Sequence, residues 1–508
     1  MNQYLTVSRH KNCIYSKEVD QDSKTIYLKK ITKYPFRFFG PSKEKTGWID
    51  VKGKPLKEIN ADSVADFKNK TKSVLEYGYT LYGTDKLEYQ YIYEEFKDVT
   101  PKNDLIISGF FDIETARDEI TGYSSPAEAK NEIISISLVV KDKIYYWGMK
   151  DLSSEFCKKL NFEYFWFMNE DEMLVHFANF IRNSGITVLS GWNVVQYDIP
   201  YFMNRMNNLE IDRTKISPFG KVFERMFKDS FGNDVQTFNV VGIEILDYLD
   251  LYKKFTYVTR DNYKLNTIAR VELHEEKVDY SEERNLQELY ENDFYKFTEY
   301  NIKDSLLVKR LDEKLKLIDL CVTIAYKANV NFADALGTVK MWQFYLYKEM
   351  LNQYMVPPMK PQNTDDSSII GAFVKDPLIG MHEWIVSFDL ASLYPHNQMG
   401  CNISPDTLLD DDELPSDVLD LRKKIMSEYK TLENIIEALS KKQIDLTILK
   451  KYDIGMTPNV QFYKRDKQGF IPEILHKVYD DRSKAKKKML LKKQELENLK
   501  AEYKHYEN

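Results

Sequence analysis

Residues 109–115 read GFFDIET, and this run restricts the fold more than any other part of the chain. Phe110, Phe111 and Ile113 ask for burial, while Asp112 and Glu114 stand two positions apart among them. If the run is a strand, its period of two puts both carboxylates on one face. Two adjacent carboxylates in apolar surroundings repel each other and lose hydration, so the pair is stable only where a divalent cation neutralises it. Taken alone, an Asp-x-Glu pattern also fits a solvated strand face. The rest of the chain has to decide between the two.

The chain has 508 residues, 43% of them hydrophobic, which is too long for one core and implies three or four units of ordinary domain size. Up to about residue 104, short β-like runs such as KTIYLKKITKYPFRFFG and YGYTLYGTD alternate with polar turns. From DLIISGFFDIET onward the texture changes. NEIISISLVVKDKIYYWG, EDEMLVHFANFIRNSG and ITVLSGWNVVQYDIPYFMNRM interleave strands with helices, which implies an α/β layer. An amphipathic helix is expected over roughly 285–317. PPMKPQNTDDSS reads as a linker, IIGAFVKDPLIG and EWIVSFDLASLYP as strands, 415–452 as charged helix, and about 472–508 as one helical pattern.

The net charge is −7, unlike that of a protein that only coats nucleic acid. An enzyme that gathers carboxylates around metal ions can be acidic and still own a basic groove. Cys13, Cys157, Cys321 and Cys401 lie far apart, without a CxxC, so neither a zinc site nor a disulfide framework is expected and a reducing cytosol fits. The opening residues show no apolar signal core, and no uncharged stretch reaches membrane-spanning length. The expected location is cytoplasmic, with no membrane partner.

Further carboxylates join the first pair. LSGWNVVQYDIPYF places Asp198 just after a strand and turn. FTEYNIKDSLLVKRL places Tyr300 and Asp304 four apart on one helix face, bordering the apolar Leu306, Leu307 and Val308. Asp112, Glu114, Asp198 and Asp304 together suit a two-metal site for phosphodiester hydrolysis, with Tyr300 orienting the attacking water. The set resembles the three motifs of the DEDD 3′→5′ exonucleases, in the subtype with a tyrosine before the last aspartate. Asp247 and Asp250 in DYLDLYKKF could add a substrate contact or form a solvated turn.

SFDLASLYPHNQMG at 387–400 resembles motif A of the B-family DNA polymerases, in the tailed-phage replicative branch. That resemblance covers all but the helical insert at 415–452. It implies that Asp389 binds both catalytic Mg²⁺ ions (Mn²⁺ as a substitute), helped by the carbonyl of Leu390. Ser392 and Leu393 would lie against the triphosphate, and Tyr394 would pack under the sugar and reject a 2′-hydroxyl. Arg482 and Lys486, four apart in VYDDRSKAKKKM, match the pair a fingers helix offers to a deoxynucleoside triphosphate; a merely solvated lysine run is the alternative. His396 departs from the residue usual at its place. An FGND turn at 231–234 is expected to form a hairpin that helps part primer from template.

Two palm metals need at least two palm carboxylates. The family supplies the second in a DTD strand and a triphosphate-binding lysine in a KxxxNSxYG helix. Neither pattern occurs in the sequence, LYGTDKL at 81–87 lies upstream of everything, and DDDE at 410–413 has no strand character. The expectation is therefore an α/β multidomain chain. A β-rich N-terminal domain at 1–104 is completed by about 318–360. A ribonuclease H-like DEDD exonuclease domain spans 105–317, a partial α+β palm 361–468, and the first helix of the fingers 469–508. This is either a truncated chain or the N-terminal subunit of a split, replicative, proofreading DNA polymerase. Its partners would be primer–template and single-stranded DNA, deoxynucleoside triphosphates, a C-terminal polymerase chain as a heterodimer and, through that chain, a sliding clamp. A stand-alone 3′→5′ exonuclease with a vestigial palm and a non-catalytic nucleic-acid-binding subunit remain as alternatives.

Overall fold

The computed structural model describes residues 1–507 except 229–231, 233, 280–282 and 360–375. The chain divides into two compact units. The first holds 1–38, 59–78 and 84–348, and the second holds 39–58, 79–83 and 349–508.

In the first unit, Asn2–His10, Cys13–Asp20 and Ile26–Ile31 form an antiparallel meander in sequence order. Its tight first turn carries Lys11 in the left-handed region, at φ +52°. The helix Leu87–Phe96 covers the first strand, with Tyr4 and Phe96 rings 5.4 Å apart.

The interleaved part forms a six-stranded sheet in the order Phe162–Trp166, Lys143–Gly148, Ile133–Val140, Ser108–Thr115, Val188–Gly191, Glu244–Asp247. Ser108–Thr115 lies inside it, antiparallel to Ile133–Val140 and parallel to Val188–Gly191. Strand alternation sorts the side chains between two faces. Phe111, Ile113, Ile136, Leu138 and Trp147 pack with Phe177 and Phe202 from the helices Glu170–Asn183 and Asp198–Asn208. On the opposite face, Ile134, Tyr146 and Phe162 pack with Phe294, Phe297 and Ile302 of the helix Phe294–Leu315. Helices on both faces of one sheet give the expected α/β layer. Asp112 and Glu114 alternate with Phe111 and Ile113, so they share the face that meets Phe294–Leu315.

The helix expected over 285–317 is broken. Leu286–Asn292 stops at Asp293 (φ −140°), whose carboxylate accepts from Lys296 N at 3.0 Å and caps the second helix, Phe294–Leu315. An aspartate that bonds its own backbone competes with helix continuation, a local effect that apolar periodicity does not register.

In the second unit, Leu408–Leu409, Phe462–Lys464 and Ile454–Met456 form a small antiparallel sheet. The charged helical segment supplies Ser416–Tyr429, Leu432–Ser440 and Thr447–Lys451, which bury Val418, Ile425, Ile435 and Leu449 against Phe462. Phe470–Glu507 is one helix, as the sequence pattern implies. The strand expected at EWIVSFDLASLYP is not there. Residues 383–390 are irregular and exposed, and a helix, Leu393–Gly400, begins where the strand should end. A strand needs a neighbour for its backbone groups, and no described strand pairs with this run. IIGAFVKDPLIG lies outside the described residues up to Lys375. The ribbon around FGND pairs Val222–Lys228 with Asp234–Val240, and its turn, apart from Gly232, lies outside them too. No helix among the described residues is long and apolar enough to cross a membrane.

Candidate active site

The site is built where the sheet loses a strand. Val188–Gly191 pairs with Ser108–Phe110 and goes no further, so the edge of Ser108–Thr115 beyond Phe110 has no parallel neighbour. The Ile113 N–H on that edge needs another acceptor, and Asp198 supplies it, Oδ1 accepting at 3.1 Å. Asp198 is 3% exposed at the first turn of its helix. The turn that carries the chain there depends on Gly191, where a Cβ would lie 2.4 Å from the Phe111 carbonyl oxygen. Asn193 follows in the left-handed region, at φ +69°, which asparagine tolerates better than most residues. Asp247 fixes this turn. Its carboxylate accepts from the N–H groups of Asn193, Val195 and Leu249, each at 3.0 Å. Asp247 is therefore a buried clasp and not a solvated turn.

Carboxylate oxygens of Asp112, Glu114 and Asp304 lie within 4.8 Å of one another. Asp198 stands beside them through Ile113. Tyr300 sits one turn before Asp304 on the same helix. Asp112 is aimed by Asn301, whose Nδ2 donates to Asp112 Oδ2 at 2.7 Å. The ammonium of Lys277 enters from the other side, donating to Tyr300 Oη at 3.1 Å and to Asp304 Oδ2.

Gathering these groups costs electrostatic energy. Burial, and then the charges of Glu114, Asp198 and Asp304, push Asp112 well above the usual carboxylate range. Glu114 is pushed up to about 8, mainly by burial and next by Asp304. Burial takes Asp198 to about 7 against the pull of the Ile113 N–H. Asp304 is raised by burial, with Lys277 opposing. Lys277 loses hydration on burial, yet Asp304 and Asp112 hold its affinity for a proton above normal. Asp112, Glu114 and Asp304 thus face one ammonium, with Asp198 beside them, and Asp304 Oδ1 is buried without a hydrogen-bond partner. An all-oxygen set with excess negative charge and an orphaned oxygen fits a hard divalent cation. A cavity of about 890 Å³ opens onto Asp112, Tyr300 and Asp304, with Trp192, Lys264 and Lys277 on its walls. That is ample for a nucleotide at the end of a strand.

Of the residues picked from sequence, Asp112, Glu114 and Asp304 thus converge in space, with Asp198 and Tyr300 beside them. Lys277, Asn301 and Asp247 were not picked. Asn301 had a signal, being three residues before Asp304 on a helix face already implicated. Lys277 sits in an acid-rich loop, HEEKVDYSEE, whose pattern carries none.

In the second unit Asp389, Leu390 and Tyr394 are exposed, and Ser392 takes φ +53° at the start of Leu393–Gly400. That helix packs on Phe470–Glu507, with His396 and Tyr479 rings 5.0 Å apart. Arg482 and Lys486 lie one turn apart beyond Tyr479, exposed, and neither forms an ion pair among the described residues.

A β-rich N-terminal part, an α/β layer bearing a carboxylate cluster and a partial palm are the architecture of a polymerase with an exonuclease domain. Residues 47–268 match DNA polymerase family B, exonuclease domain, and residues 337–505 match DNA polymerase family B. The chain belongs to DNA polymerase family B, as FFDIET and DLASLYP imply. It is 26% identical to the DNA-directed DNA polymerase of Escherichia phage RB69, over 96% of this chain and 54% of that protein. It is 25% identical to that of Enterobacteria phage T4, over 98% of this chain and 55% of the relative. The DNA polymerase delta catalytic subunit of Schizosaccharomyces pombe is 28% identical over 63% of this chain and 28% of its own length. The chain spans about half the length of the phage relatives it matches. Lys277, Tyr300, Asn301 and Asp304 fall between the two matched stretches.

Proposed function

We propose that the cluster of Asp112, Glu114, Asp198 and Asp304 removes nucleotides from the 3′ end of a DNA strand, and that the chain is the N-terminal part of a replicative, proofreading DNA polymerase. The observation that carries this reading is the convergence of the Asp112, Glu114 and Asp304 carboxylates, of which Asp112 and Asp304 line a nucleotide-sized cavity. Two Mg²⁺ ions held by these carboxylates would supply an activated water and a counter-charge for the leaving oxygen. The chain's own groups do the rest. Asn301 fixes the aim of Asp112, Asp198 locks the strand edge beside the cluster, and the Tyr300 hydroxyl orients the attacking water. The cavity wall formed by Trp192 and Lys264 receives the terminal nucleotide.

In the second unit, Asp389 and the Leu390 carbonyl serve as polymerase metal ligands. Ser392, Leu393, Arg482 and Lys486 receive the triphosphate, and Tyr394 excludes a 2′-hydroxyl. Two-metal synthesis needs a second palm carboxylate, and the family patterns that carry it are missing from these 508 residues. Residues beyond these 508, in a C-terminal partner chain or in further length of the same polypeptide, would supply it, together with the remaining palm, fingers, thumb and any contact to a sliding clamp.

The test is to incubate the purified chain with Mg²⁺ and an end-labelled primer–template, with and without deoxynucleotides. Shortening in both cases without extension supports the reading. An untouched primer overturns the nuclease assignment, and extension by the chain alone overturns the need for a partner.

A further inference from the structure

Asn161 ends the helix Ser154–Leu160 in the left-handed region, at φ +55°, and the chain then enters Phe162–Trp166, an outermost strand of the six-stranded sheet. Four of its five residues are aromatic, and Glu163 is its only charge. It pairs with Lys143–Gly148, in parallel, and no described strand lies along its outer edge. Phe167 N donates to Gly148 O at 3.0 Å. By the alternation of a ladder, Glu163 and Phe165 turn their N–H and C=O groups the same way, while Phe162, Tyr164 and Trp166 turn theirs to the open edge. Folded proteins blunt such an edge with a proline, a bulge or several charges. Residues 161–168 contain no proline, and the pairing runs without a register shift. Trp166 is 48% exposed there and Met168 80%.

A hollow flanks this edge on each face of the sheet. On the face of Phe162 and Tyr164, these two residues with Leu152, Cys157 and Lys158 line a recess of about 390 Å³. On the other face, His176, Asn179, Phe180 and Asn183 of the helix Glu170–Asn183 line a recess of about 330 Å³. The His176 and Phe180 rings lie 4.8 and 6.0 Å from that of Phe165, which ties this second recess to the same strand. A strand added to an edge sends alternate side chains to opposite faces, so one added segment meets both hollows. Lys158 and Lys159 are exposed beside the first, and the exposed Lys143 precedes Ile144, the partner of Phe162. None of these lysines forms an ion pair among the described residues. We propose that the outer edge of Phe162–Trp166 is a docking site for an extended acidic segment of a partner protein. The segment pairs with the backbone of Phe162, Tyr164 and Trp166, sets apolar side chains in the two hollows and places its carboxylates by Lys143, Lys158 and Lys159. Backbone pairing supplies affinity, the hollows select the side chains, and the ammoniums reject a basic segment. None of these residues lines the cavity of the carboxylate cluster, so the docked segment does not occupy it.

The test is selection of a phage-displayed library of random peptides on the full chain, followed by fluorescence anisotropy of the enriched peptides, with thermal unfolding as the check on folding. The enriched peptides should combine acids with alternating apolar residues. Trp166→Pro removes one outward N–H at a sheet edge, where proline is tolerated, and should weaken their binding by about tenfold or more. Asn179→Trp fills the second hollow and should weaken it by a similar factor, which decides the matter if Trp166→Pro does not fold. Lys158→Glu combined with Lys159→Glu should cost roughly tenfold, and the loss should shrink at high salt. No enrichment, enrichment of basic peptides, or undiminished binding to the folded edge and hollow variants each overturns the proposal. A dimer of the chain in sedimentation that Trp166→Pro dissociates would assign the edge to a second copy and overturn the acidic partner.

Discussion

Asn301 Nδ2 donates a 2.7 Å hydrogen bond to Asp112 Oδ2, while Asn301 Oδ1 accepts from Ser135 Oγ at 3.1 Å. The amide is fully buried and links the strand that bears the carboxylate to its antiparallel neighbour. Partners that orient a metal-binding carboxylate typically contribute roughly 10–100-fold in activity. Asn301→Ala should therefore slow 3′-end trimming by roughly that factor. Leaving the Ser135 hydroxyl unpaired should also cost about 1–3 kcal/mol of stability. Single-turnover trimming and denaturant unfolding check the two effects. An undiminished rate in a destabilised variant would reduce Asn301 to a structural role.

Asp112→Ala combined with Glu114→Ala should abolish trimming, by about 10³-fold or more, as expected for removing an element of transition-state stabilisation. The fold should survive, because Phe111 and Ile113 keep the core face of the strand while two repelling groups disappear from the other. Persistent degradation by a folded double variant would place the nuclease elsewhere.

The legible part of this molecule was the part set by local periodicity and chemistry. GFFDIET announced a strand with one apolar and one acidic face, and the sheet carries it so. Tyr300 and Asp304 were correctly placed on one helix face because four residues make about one turn. What escaped reading came from long-range contacts. Lys277 meets Asp304, 27 residues away, and Glu275 meets Lys303 and Arg310, 28 and 35 residues away. The helix break at Asp293 is a cap, which apolar spacing does not encode. The run ending in Asp389 has strand-like residues but no described strand to pair with, and pattern alone carries no information about an absent neighbour.

The raised carboxylate affinities give the metal-free protein a definite pH dependence. Glu114 binds its proton up to about 8 in the fold, against about 4.3 when unfolded. Between those values the folded state holds more protons than the unfolded state, so stability falls as pH rises. Asp198, pushed up to about 7, adds to the same slope. The stability is fully present below the unfolded value and is lost as pH climbs through about 8. In a chelator, the unfolding temperature should drop by at least a few °C between about pH 5.5 and 8.5. Mg²⁺ should restore most of the loss at the upper pH, and Glu114→Gln should flatten the slope. A pH-independent unfolding temperature would show that the carboxylates are not held in their protonated forms.

Gly191→Ala should destabilise the sheet more than an ordinary glycine substitution. The added Cβ would stand 2.4 Å from both the Phe111 carbonyl oxygen and Val194 Cγ1. The backbone oxygen has no free rotation with which to yield, so Ser108–Thr115 and the turn to Asp198 must separate. A cost of about 3 kcal/mol or more is expected, on the scale of severe overpacking. Trimming should fall with it as Asp198 leaves the Ile113 N–H. Wild-type stability would mean that the strand end is looser than its hydrogen bonds indicate.

Asp389 separates the two proposed activities, because the carboxylate cluster belongs to one compact unit and Asp389 to the other. Asp389→Ala should leave trimming by the chain unchanged and abolish primer extension by a polymerase in which the rest of the palm is present. On the proposed reading Asp389 would hold both metals, so its loss would weaken both the activation of the 3′-hydroxyl and the neutralisation of the triphosphate. Tyr394→Ala should retain extension and admit ribonucleotides, since the exclusion of a 2′-hydroxyl depends on the bulk of the ring. Extension assays with deoxy- and ribonucleotides, run beside trimming assays on the same preparations, read all three outcomes. Undiminished synthesis by Asp389→Ala would remove this residue from the polymerase site. Continued ribonucleotide rejection by Tyr394→Ala would assign the steric gate to another side chain.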